Sequence, residues 1–449
     1  MAKIGFISLG CAKNQVDCER MMHRVQEAGH SVETEMAGCD VVVINTCGFI
    51  DSAKSEAIDN ILQTGRLKEA GLVSKILVTG CLSQRYQIEI LKEMPEVDGV
   101  LGTGSFTEIV PAIEKLLRGE QVYDFGDIDA PEQESGRVLT TPEHFAFLKI
   151  AEGCDNRCAY CVIPSLRGRY RSRAMDDVLY EARVLASEGV KELIVVAQDT
   201  SRYGTDFPEG KRLLSTLLRE LCKIDGIHWV RVHYLYPDEI DEELIDTIAS
   251  EPKIVKYLDI PIQHCNDEIL TKMNRRGSGE YLRELLTLLR QRIPGLVLRT
   301  SIITGLPGEG EEEFRELCDF LKQMHMERVG AFPFSPEEGS EAARMEHVDE
   351  ETAQQRAQIV EELQSRIMDE YNESMIGKTL EILCDGYDPD VEQYYGRSYA
   401  DSPDVDGRVW IASDEPIREG TFVNVCIDGS VDGELTGYLL EDDSYDNCK

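Results

Sequence analysis

The chain has little positive charge and no long hydrophobic run. Its 449 residues include 47 Lys and Arg against 84 Asp and Glu, a net charge of −37. An extended nucleic-acid interface normally needs a basic face, so this balance argues against one and favours solubility or a basic partner. No apolar run reaches the roughly 18 residues that span a bilayer. The opening residues, MAKIGFISLG, lack a signal-peptide cleavage site. We therefore expect a cytoplasmic protein without a membrane partner.

Cysteine, by contrast, is abundant, with 14 residues. Because cytoplasmic thiols stay reduced, a cysteine cluster is first interpreted as a metal or catalytic site. Cys154, Cys158 and Cys161 lie close together in AEGCDNRCAYCVIP. A structural zinc site needs four ligands, and here the fourth would have to be distant, such as His144 or Cys222. Three thiolates are instead enough for a 4Fe-4S cluster that keeps one iron open to another ligand.

A second set of three cysteines is predicted near the N-terminus. Cys11, Cys47 and Cys81 each follow an apolar strand candidate, in SLGC, NTC and TGC. The carboxyl ends of parallel strands form one edge of the sheet, where ligands bind, so these three cysteines should converge. Cys18, within the first helix, and Cys39, before its strand, are better explained as small buried residues.

The pattern of apolar runs predicts an α/β protein of three parts. Alternating strands and helices predict an N-terminal parallel α/β sheet and then a partial (β/α) barrel, because a full barrel needs roughly 250 residues. The last residues predict a small all-β barrel of OB type. The predicted ranges are 1–117 for the N-terminal domain, 118–144 for a linker, 145–370 for the partial barrel and 372–441 for the all-β domain.

Several motifs together resemble one known family. They are SLGCAKNQVD, NTCGFIDSAKSEAI, GCLSQRY, IAEGCDNRCAYCVIPSLRGRYRSR and YLDIPIQH. Over essentially the whole chain this pattern is similar to the radical S-adenosylmethionine (SAM) methylthiotransferases, and within them to the branch that modifies an aspartate of ribosomal protein S-twelve. The tRNA-modifying branch typically has Gln-Met-Asn where this chain has Ala12, Lys13 and Asn14.

The resemblance implies cofactors, partners and further site residues. It implies two 4Fe-4S clusters, on Cys11, Cys47 and Cys81 and on Cys154, Cys158 and Cys161, a TRAM domain at the C-terminus, and no catalytic side chain beyond the clusters. SAM would supply both the methyl group and the radical that removes hydrogen from the aspartate β-carbon. The residues expected to contact SAM are Tyr160, Gln198, Asp199 and Gly305. A low-potential electron donor, such as a flavodoxin, is also implied.

Two charged segments bear on the substrate. The run RGRYRSR contains Arg167, Arg169, Arg171 and Arg173, which would bind a carboxylate or form an ordinary solvated loop. Residues 372–449 contain 19 Asp and Glu against 5 Lys and Arg, a net charge of −14. Such a domain would repel phosphates and attract a basic ribosomal protein. The alternative is that the charge serves solubility alone or reflects a generally acidic proteome.

Three other interpretations stay open from the sequence. The first is a tRNA adenosine methylthiotransferase with the same cofactors. The second is a non-catalytic electron carrier with two iron–sulfur clusters, although carriers normally bind each cluster with four protein ligands. The third, and weakest, is a zinc-binding module.

Overall fold

The structure, a computed structural model, describes residues 1–131 and 133–440. Within those residues, three sheets of five or six strands follow one another along the chain. No helix in the described ranges is long and apolar enough to cross a membrane.

The N-terminal domain is a parallel sheet covered by helices. Its strands are β1 (Lys3–Ser8), β2 (Ser31–Glu33), β3 (Val41–Thr46), β4 (Lys75–Gly80), β5 (Gly99–Leu101) and β6 (Val122–Asp124), in the order β2-β1-β3-β4-β5-β6. Its helices are α1 (Ala12–Glu27), α2 (Asp51–Glu69), α3 (Cys81–Tyr86), α4 (Ile88–Glu93) and α5 (Ile109–Leu117), with a 3-10 helix at Thr103–Glu108.

Both faces of this sheet are buried because alternate residues of β3 pack into different cores. Val41 and Val43 pack with residues of α1 and α5, whereas Val42 and Ile44 pack with residues of α2 and α4. Side chains alternate between the two faces of a strand, so a continuous apolar run such as VVVI marks a strand covered on both sides.

The segment predicted as a linker, 118–144, differs from that prediction at its start. Val122–Asp124 forms β6, which pairs in parallel with β5 at the sheet edge. Val122 is buried in the core beneath α5. A strand of three residues is too short to show a period in the sequence, so only its pairing partner reveals it.

The central domain is an open sheet of six parallel strands. The strands and the small ribbon between the first two are β7 (Phe145–Lys149), β8 (Ala151–Glu152), β9 (Arg171–Ser172), β10 (Glu192–Val196), β11 (Trp229–Val232), β12 (Ile254–Asp259), β13 (Val297–Thr304) and β14 (Arg328–Pro333). The sheet order is β14-β13-β12-β11-β10-β7, and β8 pairs with β9. This confirms a partial rather than a closed β/α barrel.

Helices connect these strands and cover the sheet. They are α6 (Ile163–Arg167), α7 (Met175–Ser187), α8 (Leu214–Cys222), α9 (Glu242–Ser250), α10 (Asp267–Lys272), α11 (Gly279–Arg292), α12 (Glu311–Met324) and α13 (Glu350–Met375). Short 3-10 helices lie at Thr200–Arg202, Pro237–Glu239 and Ala342–Arg344. The long α13 contacts β13 and β14 and then leads into the C-terminal domain.

The C-terminal domain is a closed five-stranded barrel, which confirms the predicted all-β fold. Its strands are β15 (Thr379–Asp388), β16 (Gln393–Arg397), β17 (Val409–Ala412), β18 (Phe422–Val431) and β19 (Glu434–Leu439), in the order β15-β16-β17-β19-β18. The sequence QYYGR of β16 is too polar to be recognised as a strand. A buried ion pair attaches the barrel to the central sheet, with Arg397 Nη1 2.5 Å from Glu192 Oε2.

Candidate active site

The three N-terminal cysteines lie at one edge of the sheet. Cys47 directly follows β3, Cys81 directly follows β4, and Cys11 comes just after β1 at the start of α1. These strands are neighbours, so their carboxyl ends lie side by side. A Cβ on Gly10 would be 3.2 Å from the Cys47 sulfur, and one on Gly48 would be 2.9 Å from the Cys81 carbonyl carbon. The loops therefore approach so closely that only glycine fits between them.

The thiols of this set lie in a partly buried, electrostatically linked environment. Burial raises the pKa of Cys81 to about 11, the Arg167 guanidinium opposes this shift, and Cys11 and Cys47 add to it. Arg167 Nε donates a hydrogen bond to Cys81 Sγ at 3.3 Å. A metal-binding thiol must be deprotonated, and this cation stabilises the thiolate form. The arrangement fits three thiolate ligands.

The two remaining N-terminal cysteines lie elsewhere. Cys18 is fully buried in the core beneath α1, and Cys39 is buried in the core on the opposite face of the sheet. Both positions agree with the packing role expected from the sequence.

The central cysteines occupy the loop between β8 and α6. The Cys161 backbone N–H donates to the Cys158 carbonyl at 3.0 Å, and the Ile163 N–H donates to Cys161 Sγ at 3.4 Å. Burial raises the pKa of Cys154 to about 11, and burial with the nearby Cys158 and Cys154 raises that of Cys161. The loop therefore gathers the three thiols, and its backbone donates to one of the sulfurs.

Within residues 1–131 and 133–440, no three His, Cys, Asp or Glu side chains are placed to hold a single metal ion. The assignment of both cysteine sets as cluster ligands stays a prediction.

The predicted SAM residues Tyr160 and Gly305 both lie in packed surroundings. The Tyr160 hydroxyl accepts a hydrogen bond from Arg275 Nη1 at 3.0 Å. Gly305 directly follows β13 with φ at 78°, and its N–H donates to Glu309 Oε1 at 2.8 Å. A Cβ there would lie 2.5 Å from the Ala353 Cβ, so Gly305 allows α13 to pack against the end of the strand. Their role toward SAM stays a prediction.

The other two predicted SAM residues, Gln198 and Asp199, follow β10 and reach the central cysteine loop. Asp199 accepts hydrogen bonds from Ser201 and, at 2.7 Å, from Asn156, which lies between Cys154 and Cys158 in the chain. Gln198 donates to Glu152, while its own Oε1 is buried without a hydrogen-bond partner among the described residues. The role of Gln198 and Asp199 toward SAM stays a prediction.

Three family models match successive parts of the chain. Residues 148–321 match the Radical SAM superfamily, residues 3–102 the Uncharacterized protein family UPF0004, and residues 376–440 the TRAM domain. The protein named ribosomal protein uS12 methylthiotransferase RimO in Thermoanaerobacter sp. is 45% identical over 439 residues, which are 97% of this chain and 100% of that one. The chain belongs to the RimO family. The RimO of Clostridioides difficile is 44% identical over 98% of this chain and 99% of its own.

Solved structures share the fold of this RimO family member at low sequence identity. The radical S-adenosylmethionine methyltransferase TsrM from Kitasatospora setae has a TM-score of 0.55 and 15% identity, covering 74% of this chain and 73% of its own. The cobalamin-dependent S-adenosylmethionine radical enzyme OxsB has a TM-score of 0.53 and 13% identity, covering 81% of this chain and 56% of its own. At this identity the likeness concerns the fold alone.

A buried ionic network between the N-terminal and central domains was missed by sequence reasoning. Lys149, at the end of β7, pairs with Asp17 of α1 and lies 3.0 Å from Glu152. Arg167 also pairs with Asp17 and lies 3.1 Å from Glu152. Burial would raise the pKa of Glu152, but the two cations outweigh it and lower that pKa. In the sequence, the sign of such a network was the charged Lys149 at the end of the otherwise apolar strand FAFLK.

The four arginines of the run RGRYRSR differ in burial. Arg167 and Arg173 are buried, whereas Arg169 is exposed and Arg171 is intermediate. Arg173 pairs with Glu181 of α7 at 2.7 Å. The sequence had no signal for Arg275, whose Nη1 donates to Cys158 Sγ at 3.7 Å.

Proposed function

We propose that this chain transfers a methylthio group to the β-carbon of an aspartate in ribosomal protein uS12. The observation that carries the proposal is the proximity of two three-cysteine sites in a chain that belongs to the RimO family. Helix α6 begins two residues after Cys161, and Leu166 of that helix packs against Cys81 of the other set. A substrate between the two sites would therefore be within reach of both.

The residues present would hold the cofactors as follows. Cys11, Cys47 and Cys81 would bind one 4Fe-4S cluster, Cys154, Cys158 and Cys161 a second one, and Tyr160, Gln198, Asp199 and Gly305 would line the SAM site. When bound, these groups would supply two things that no side chain can supply. One is the radical needed to break an unactivated C–H bond, and the other is the methylthio sulfur that is transferred.

The protein itself orients the two cysteine sites through buried charges. Lys149, Glu152, Asp17 and Arg167 are all buried, so their charges neutralise one another away from solvent. Buried ion pairs of this kind fix a mutual orientation when their geometry is complete. The network thus holds the N-terminal cysteine edge against the central cysteine loop.

The acidic C-terminal domain supports a basic protein substrate over tRNA. Its net charge of −14 over residues 372–449 opposes a phosphate backbone and attracts a basic ribosomal protein. The proposal includes a low-potential electron donor, such as a flavodoxin, and a cytoplasmic location.

The target is tested by mass spectrometry of ribosomal protein uS12 and of bulk tRNA from cells with and without the gene. We expect the methylthio group to disappear from uS12 when the gene is removed, while tRNA modification is unchanged. Loss of a methylthio group from tRNA alone would identify the chain as a tRNA methylthiotransferase. Unchanged modification of both would overturn the proposed function.

The ligand assignment is tested by two triple variants reconstituted under anaerobic conditions. The parent should bind about eight irons, as two 4Fe-4S clusters require, and each variant about four. The variant with Ala at Cys154, Cys158 and Cys161 should lose SAM cleavage. The variant with Ala at Cys11, Cys47 and Cys81 should still cleave SAM but transfer no methylthio group. Full iron content in either variant would contradict the assignment.

Substrate attraction is tested by reversing exposed acidic residues of the barrel to Lys. The variant positions are Asp390, Glu392, Asp414 and Glu415, and a control carries Lys at Glu188, Glu209, Glu280 and Asp319 of the central domain. We expect the barrel variant to bind uS12 more weakly, and most clearly at low salt, because screening shortens the field to about 10 Å at 0.1 M. Equal binding by the barrel variant and the control would refute docking through the barrel.

A further inference from the structure

Arg167 physically connects the two cysteine sites. Its backbone ends α6, the helix that follows the central cysteine loop, while its side chain extends into the N-terminal domain. There its Nε donates to Cys81 Sγ at 3.3 Å. The residue is only 5% exposed, so solvent does not screen this contact.

The remaining donors of the guanidinium hold it in this orientation. Nη2 donates to Asn14 Oδ1 at 2.9 Å, and Nη1 donates to Asp17 and, at 3.1 Å, to Glu152. Arginine presents its donors in a rigid planar fork, so acceptors on the two terminal nitrogens also set the direction of Nε. A lysine could pair with one carboxylate but could not reproduce the whole set of contacts.

We propose that Arg167 is a positioning residue that raises the reduction potential of the N-terminal iron–sulfur site through its hydrogen bond to Cys81. Reduction adds negative charge to a cluster, and a cation that donates to a ligand sulfur stabilises the reduced form. The inference rests on the proposed assignment of Cys11, Cys47 and Cys81 as cluster ligands. The effect should be confined to this site, because the cysteine contact of Arg167 is to Cys81.

A purely structural role would make a different prediction. If Arg167 served only to neutralise Asp17 and Glu152, its replacement would lower stability but leave the potential of a correctly formed cluster unchanged. The potential therefore separates the two roles, whereas enzymatic activity would not.

The test uses the chain with Ala at Cys154, Cys158 and Cys161, which leaves the N-terminal site as the one signal. Its midpoint potential is measured by redox titration followed by electron paramagnetic resonance, in the parent and with Arg167→Lys or Arg167→Gln. We expect the potential to shift downward in Arg167→Lys, and further downward in Arg167→Gln, which also removes the cation. Loss of iron from this site in both folded variants would point to a role in cluster assembly and would contradict the tuning role.

Two control experiments show which outcome would overturn the proposed role of Arg167. Arg231→Lys replaces another fully buried arginine, which bonds Glu192 at 2.8 Å near the opposite ends of the strands, and should leave the potential unchanged. In the chain with Ala at Cys11, Cys47 and Cys81, Arg167→Lys should not shift the remaining central site. An unchanged potential in the folded Arg167 variants, an equal shift with Arg231→Lys, or unfolding of both Arg167 variants would each overturn the tuning role.

Failure of the underlying assignment would be visible separately. If the chain without the three central cysteines bound no iron at all before Arg167 was changed, the ligand assignment would be wrong whatever Arg167 does.

Discussion

Glu181 of α7 should contribute a pH-dependent part of the stability that joins the N-terminal and central domains. Three arginines from different segments contact its carboxylate, Arg20 at 3.2 Å, Arg137 at 3.0 Å and Arg173 at 2.7 Å. Burial alone would raise the pKa of Glu181, but the three guanidinium groups outweigh it and lower the pKa to about 2 from its ordinary value of 4.5. The perturbation to make is Glu181→Gln, which keeps the shape and removes the charge.

The size of the effect follows from this pKa difference. Each unit corresponds to about 1.36 kcal/mol, so the ionised carboxylate contributes about 3 kcal/mol to folding. Because the pKa of Glu181 is lower in the folded chain, this contribution is fully present above about pH 4.5 and is lost as the pH falls toward 2. At neutral pH, Glu181→Gln should therefore lower the free energy of unfolding by about 3 kcal/mol, in the range for breaking a buried ion pair.

The assay is urea unfolding followed by circular dichroism at a series of pH values below neutrality. The difference between the parent and Glu181→Gln should be largest at neutral pH and should shrink steadily as the pH falls below about 4.5. The matched control is Glu188→Gln, an exposed position just beyond the same helix, which should stay within about 0.5 kcal/mol of the parent. A difference for Glu181→Gln that stays constant across the series, or one no larger than the control, would refute the reasoning.

Two further substitutions test packing at the ends of the central sheet. Gly305→Ala should lower the free energy of unfolding by more than the roughly 1–2 kcal/mol of left-handed strain, because the new methyl also overlaps α13. The control is Gly339→Ala, at a φ of 87° with no atom near the new methyl, which should show the cost of left-handed strain alone. Equal losses of unfolding free energy in Gly305→Ala and Gly339→Ala would contradict the predicted overlap with α13. Glu192→Gln leaves the buried cations Arg231 and Arg397 without their shared carboxylate and should cost about 3–5 kcal/mol. A loss below about 1 kcal/mol in urea unfolding would show that this contact does not secure the barrel.

The positions of the six cysteines could be predicted because they depend on local sequence and on one general rule of sheets. Cys154, Cys158 and Cys161 are near neighbours in the chain, so any loop brings them close. Cys11, Cys47 and Cys81 are far apart, but each comes at or within three residues of a strand end, and parallel strands end at a common edge. The same local periodicity predicted the three-part fold and the partial barrel at its centre.

Short or polar strands could be recognised only from the tertiary structure. β2 and β6 have three residues each, and β16 has the sequence QYYGR. None of them shows a hydrophobic period, because each owes its conformation to hydrogen bonds with a neighbouring strand rather than to its own residues. The start of the segment predicted as a linker was therefore assigned correctly only once its pairing with β5 was known.

The environment of the cysteines was likewise a matter of tertiary structure. Lys149 meets Asp17 across 132 positions of sequence, and Arg167 meets Asp17 across 150. No periodic pattern or fixed spacing in the sequence marks such contacts, because they depend on how α1 packs against the central sheet. The sequence by itself determined which thiols could form each set. Only the packing of the two domains decided which arginine reaches Cys81. Arg167 is held there by ion pairs with residues distant in sequence, and such pairs form only where folding buries both charges together.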